Sequence, residues 1–189
     1  ASINYRINGG ELKTVSKDGQ PKIDKEGSDN KLEYWSVDNA GNEEKHNTIS
    51  NIKLDKMPPE TTISLSGTKN NDWYTTEVDI KISSNDNQSA IGSIKYKIDN
   101  GSWQEYTSDF IIKKDGEYTI EYYSEDKAGN KEEVKKKLIR IDTQKPITTI
   151  SPSDLGNENK WYNNDLNITL TGKDESGRYF LDPSPIYQR

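Results

Sequence analysis

Apolar and polar residues alternate along much of this chain. Thr61-Thr62-Ile63-Ser64-Leu65, Val78-Asp79-Ile80-Lys81-Ile82 and Ile94-Lys95-Tyr96-Lys97-Ile98 each keep a period of two. Successive side chains of a strand point to opposite faces, so this period marks strands with one buried face. Shorter strands are predicted around Trp103 and Tyr106, over Phe110–Ile112, over Tyr118–Tyr123 and from Val134 to Ile141. Turn residues separate them. Gly67 to Asp72 is a polar turn and Asn85 to Gly92 a polar loop. Asp99-Asn100-Gly101 predicts a hairpin, because Asn-Gly accepts positive φ. Asp115-Gly116 and Asp126-Lys127-Ala128-Gly129-Asn130 close two more turns. About seven short strands with a turn every 8–12 residues or so is the spacing of a β-sandwich. No stretch of eight or more residues carries a 3.6 period, so helices are not expected.

The pattern repeats. Ser93-Ile94-Lys95-Tyr96-Lys97-Ile98 matches Ser2-Ile3-Asn4-Tyr5-Arg6-Ile7. Tyr122-Tyr123-Ser124-Glu125-Asp126-Lys127-Ala128-Gly129-Asn130 matches Tyr34-Trp35-Ser36-Val37-Asp38-Asn39-Ala40-Gly41-Asn42. Pro146-Ile147-Thr148-Thr149-Ile150-Ser151 matches Pro59-Glu60-Thr61-Thr62-Ile63-Ser64, and Trp161-Tyr162 matches Trp73-Tyr74. The offsets run from 87 to 91, with the small differences expected in loops. The predicted organisation is tandem antiparallel β-sandwich repeats of about 87 residues. Residues 59–145 form a complete unit, 1–58 the back part of one and 146–177 the front part of another; 178–189 is out of register. Residue 1 falls inside a repeat, so the sequence is expected to continue upstream.

Composition narrows the class. Apolar residues make up 29% and include only two Phe and one Met, but 11 Tyr and 4 Trp. That supply suits a thin two-sheet core better than a helical bundle. The net charge is -6, with basic residues scattered among acidic ones. Nothing in it forms a basic face for nucleic acid or anionic lipid. No apolar run of 18 residues is present, so membrane insertion is not expected. With no cysteine, disulfides and thiolate metal sites are excluded.

The ordered motifs Pro-x-Thr-Thr-Ile, Trp-Tyr, Ile-x-Tyr-x-Ile-Asp-x-Gly-x-Trp, Tyr-Tyr-Ser-x-Asp-x-Ala-Gly-Asn and Ile-Asp-x-x-x-Pro resemble bacterial Ig-like, fibronectin type III-like repeats. Such repeats are strung along large surface proteins and secreted glycan-degrading enzymes of clostridia and their relatives. The resemblance covers residues 1–177 and implies an extracellular or cell-surface setting. It also implies a role as spacer, adhesive stalk or accessory module, with adjacent repeats of the same protein as neighbours.

Candidate sites are few. Trp73, Tyr74, Trp103, Trp161 and Tyr162 are the candidates for a glycan or a host surface protein, because flat rings stack on sugars; in a Leu-poor sandwich such rings more often cover sheets. Asp86 and Asp174 lie in oxygen-rich loops and are the calcium candidates, although neither loop has the spacing of a helix-flanked calcium loop. Asp38, Gly41, Asn42, Asp126, Gly129 and Asn130 are read as turn builders: Asp bonds its own backbone and Gly supplies positive φ. The lone histidine, His46, has no partners at ligand spacing and reads as a solvated surface residue. No cofactor is expected, and the parts of a nucleophilic or phosphate-handling enzyme are missing.

The resulting expectation is a non-catalytic spacer. The alternatives are an adhesive or carbohydrate-binding module, or a subunit that polymerises head to tail. In the last, the 146–177 part of one copy completes the 1–58 part of another.

Overall fold

The structure, a computed structural model, describes residues 1–151 and 161–174. The tail 178–189, with Glu175, Ser176 and Gly177 of the third predicted unit, lies outside the described residues.

The described chain is almost entirely β, arranged in several antiparallel sheets as a β-sandwich requires. Strands β1 (Ser2–Ile7), β2 (Lys13–Thr14), β3 (Gly27–Val37) and β4 (Asn47–Leu54) form a sheet in the order β2-β1-β3-β4. The helix α1 (Val15–Asp18) is four residues long and interrupts this part. Next come β5 (Glu60–Ser66), β6 (Lys69–Asn70), β7 (Trp73–Tyr74), β8 (Val78–Asn85), β9 (Ile91–Ile98) and β10 (Gln104–Glu105). They are followed by β11 (Phe110–Ile112), β12 (Gly116–Asp126) and β13 (Lys135–Ile141). One sheet runs β10-β9-β12-β13-β7-β6 and another β11-β8-β5. β14 (Ile147–Ser151) and β15 (Thr169–Lys173) pair as an antiparallel ribbon.

By contacts the chain divides into two compact units. One comprises residues 1–64, 81–108 and 120–137; the other comprises 65–80, 109–119 and the chain from 138 onward.

In the first unit Tyr5, Trp35, Ile82, Ile120, Tyr122 and Tyr123 are buried. Along β12 the residues Ile120, Tyr122, Ser124 and Asp126 share one face, and all are buried. Tyr123 points the other way and is covered too. Trp103 meets it edge to face at 4.8 Å between ring centroids, and the Lys131 ammonium lies 3.9 Å from its ring centre. A central strand covered on both faces explains how a Leu-poor sequence still forms a core.

In the second unit Tyr74, Val78, Ile80, Ile112, Ile139 and Ile141 are buried. Val78 and Ile80 alternate with exposed Asp79 and Lys81, and each such side chain contributes roughly 1.5–3 kcal/mol on burial. This unit also holds a parallel pairing: Ile141 of β13 lies opposite Tyr74 of β7, and Asp142 N–H donates to the Tyr74 carbonyl at 2.9 Å. The sequence reading expected only antiparallel partners here.

The strand pairs β1–β3 and β9–β12 share one register. Ser2, Ile3, Tyr5 and Ile7 lie opposite Val37, Ser36, Tyr34 and Leu32. Ser93, Ile94, Tyr96 and Ile98 lie opposite Glu125, Ser124, Tyr122 and Ile120. Each is followed by the same isolated bridge, Val37 to Glu43 and Glu125 to Lys131.

Candidate functional site

The two Asp-x-Ala-Gly-Asn turns are built alike. Asp38 Oδ1 accepts from the N–H groups of Ala40 and Asn42, both at 2.8 Å, and Oδ2 from the Asn42 amide at 2.8 Å. Asp126 Oδ1 accepts from Ala128 and Asn130 at 2.8 and 2.9 Å, and Oδ2 from the Asn130 amide at 2.8 Å. Gly41 and Gly129 have φ of 86° and 93°, a conformation that costs glycine little. The carboxyl of Asp38 is held below its ordinary range, chiefly by the Asn42 amide. At Asp126, burial is the largest influence and opposes ionisation. The hydrogen bonds from Asn130, Ala128 and Gly129 together outweigh it, so this carboxyl is lowered too.

Among the described residues, Asp126 has carboxylate neighbours that its counterpart Asp38 does not. One carboxylate oxygen each from Asp55, after β4, Asp86, after β8, and Asp126, at the end of β12, all lie within 4.8 Å of one another. Asp86 Oδ2 accepts from the N–H groups of Gln88, Ser89 and Ala90 at 3.0, 2.7 and 2.9 Å. Ser89 N–H also reaches Asp55 Oδ2 at 3.0 Å, and the Asn130 amide reaches the Asp55 carbonyl at 3.2 Å. Gly92 is required beside this group, since a Cβ there would lie 2.8 Å from the Asp126 carbonyl oxygen.

Three carboxylates are calcium chemistry in kind, but calcium takes six to eight oxygens. Here the carboxylates accept backbone N–H and amide donors, with Ser89 N–H shared by Asp55 and Asp86 and the Asn130 amide reaching both Asp126 and the Asp55 carbonyl. Of the two calcium candidates, Asp86 joins this group. Asp174, buried just past β15, does not.

The aromatic candidates sit in separate surroundings. Tyr74 belongs to the core and Trp73 beside it is half-buried. Trp103 lies on Tyr123, with the Lys97 ammonium 5.3 Å from its ring centre. Trp161 is 95% exposed and Tyr162 39%.

His46 has the partners the sequence did not show. Its ring stacks on Trp35 at 3.8 Å; Nδ1 meets Glu33 at 2.9 Å and Nε2 meets Glu43 at 2.8 Å. Glu43, then Glu33, raise its pKa above the ordinary 6.5. Its protonated form therefore adds stability that is fully present below 6.5 and is lost as pH rises through the raised value. A proton NMR titration of the His46 ring should place its midpoint above 6.5. Glu43→Gln should move it down; an unmoved midpoint would reject this pairing.

Sequence reasoning missed a buried polar cluster in the first unit. Glu132 Oε1 accepts from Ser124 N–H at 2.9 Å, from Ser124 Oγ at 3.1 Å and from the Thr61 hydroxyl. Oε2 takes Thr61 N–H and Lys135 Nζ, each at 3.1 Å. Ser84 Oγ lies 2.7 Å from Ser124 Oγ, which is itself 2.7 Å from Thr61 Oγ1. The signal was the spacing of Ser124 to Glu132, which recurs in Ser36 and Glu44. There Glu44 Oε2 accepts from Ser36 N–H at 3.1 Å and Oγ at 2.8 Å, but in the open.

No protein-family model and no curated protein matches this chain.

Proposed function

We propose that this chain is a run of tandem Ig-like β-sandwich repeats acting as a non-catalytic spacer in an extracellular bacterial protein. The observation that carries this reading is that one construction occurs twice. The β1–β3 and β9–β12 pairs share their register, their Asp-Asn turn and their Ser–Glu pair. Chemistry needs one unique arrangement; repetition of the same frame is what length needs.

The connection between the two copies supports the same reading. Asp55 is held by Ser89 and Asn130, Lys56 N–H donates to Glu26 at 2.9 Å, and Lys56 Nζ donates to the Asp24 carbonyl at 2.8 Å. Pro58-Pro59 follows at once. A linker this short, anchored and Pro-stiffened limits bending. The bacterial and extracellular setting rests on the resemblance of the motifs.

The second reading is a carbohydrate-binding or adhesive module, and the exposed Trp161 ring favours it. A glycan array probed with the chain separates the two. The spacer reading expects no binding. Binding abolished by Trp161→Ala, with the unfolding temperature unchanged, overturns it.

A further inference from the structure

We propose that Asn100 is a site of spontaneous deamidation, and that the fold protects Asn8 from the same reaction. Asn8-Gly9 and Asn100-Gly101 are the two Asn-Gly steps of the sequence. Such a step is the reactive one, because glycine has no Cβ to shield its backbone nitrogen. The modification goes beyond the spacer reading and does not depend on it.

The reaction needs only water. The Gly101 backbone nitrogen attacks Asn100 Cγ. The bond from Cγ to Nδ2 breaks, and Nδ2 leaves as ammonia with the proton from the Gly101 nitrogen. A five-membered succinimide remains. Water opens either of its two carbonyls, giving aspartate or isoaspartate, and nothing is oxidised or reduced. Either product adds a negative charge to the turn after β9, and isoaspartate also adds a methylene to the main chain there.

Both steps lie on exposed turns: Asn8, Gly9, Asn100 and Gly101 are all exposed. The Asn8 tip stays open although a whole repeat, 59–145, follows it in the chain, so a following repeat does not cover this tip.

What differs is how each asparagine is held. Asn8 Nδ2 donates to Asn30 Oδ1 at 2.8 Å, and Asn8 Oδ1 accepts from Lys31 N–H at 2.7 Å. Attack on Asn8 Cγ requires this clamp to open, which strands the Asn30 oxygen at a residue only 1% exposed. A penalty of that kind slows the reaction about a hundredfold. Among the described residues, nothing holds the Asn100 side chain by a hydrogen bond. Its restraint is on the other reactant: Gly101 N–H donates to the Ile98 carbonyl at 2.9 Å. Releasing one exposed turn bond slows attack about tenfold at most. The clamp on Asn8 therefore outweighs the turn bond at Gly101, and Asn100 reacts first.

Peptide mass spectrometry on the full chain, held folded at mildly alkaline pH, tests this. The Asn100 peptide should gain about 1 Da, and the Asn8 peptide should do so at least tenfold or so more slowly. The Asn100 product should separate into aspartyl and isoaspartyl forms. In urea, where no clamp survives, the two rates should converge. Asn30→Ala should speed the reaction at Asn8 and leave that at Asn100 unchanged. Equal rates in the folded chain, or no gain of mass at Asn100, overturns the proposal. A difference that persists undiminished in urea also overturns it, because the fold would then not be what protects Asn8.

Discussion

Glu132→Ala should lower the unfolding free energy by about 3 kcal/mol, whereas Glu44→Ala should cost no more than about 1 kcal/mol. The two side chains hold the same place beside the same serine. They differ in surroundings. Removing Glu132 strands the Thr61 and Ser124 donors at sites 2% and 0% exposed, where water cannot replace the lost acceptor. Removing Glu44 leaves its donors in solvent. Urea unfolding midpoints at constant slope measure both. Equal costs would show that burial is not what gives Glu132 its weight.

The same pair fixes the pH dependence. Burial is the largest influence on Glu132 and opposes its ionisation. The Thr61, Lys135 and Ser124 hydrogen bonds together prevail and hold its carboxyl below the ordinary 4.5. A carboxyl lowered by folding adds stability that is present above 4.5 and is lost as pH falls through the folded value. The gap between wild type and Glu132→Ala should therefore narrow in acid.

Ile80→Ala should cost about 3 to 4 kcal/mol, and Ile168→Ala under about 0.5 kcal/mol in dilute solution. Ile80 is fully enclosed, so its truncation loses transfer free energy and leaves a void. Ile168 occupies the matching sequence position but is 54% exposed. Calorimetry on both variants reads the difference directly; equal costs would show that the burial of Ile80 is not what sets its weight.

The strands legible in the sequence were those long enough to show a period. Val78, Ile80 and Ile82 alternate in the sequence and are buried in the fold. Asn100-Gly101 lies at the predicted turn after β9. The two-residue β6 and β7 have no period to read, so the parallel pairing of Tyr74 went unseen. Glu132 went unseen for another reason: a glutamate in a charged stretch reads as solvated until three other segments close over it. Asp86 could be singled out from its loop. Its convergence with Asp55 and Asp126 depends on long-range closure that local pattern does not carry. His46 reads as a surface residue and does lie at the surface, but only the β-sheet register brings Glu33 beside it.

The parallel bridge between β7 and β13 bears on how the chain answers a pull. A hairpin drawn open from its free ends parts one hydrogen bond at a time. Parallel neighbours drawn in opposite directions must slide, so the bonds joining Tyr74 to Ile141 and Asp142 are strained together. Endurance under load is a matter of barrier height, not of equilibrium stability. Were a pull to reach β13, these two residues of strand could thus govern how long the stretched unit holds.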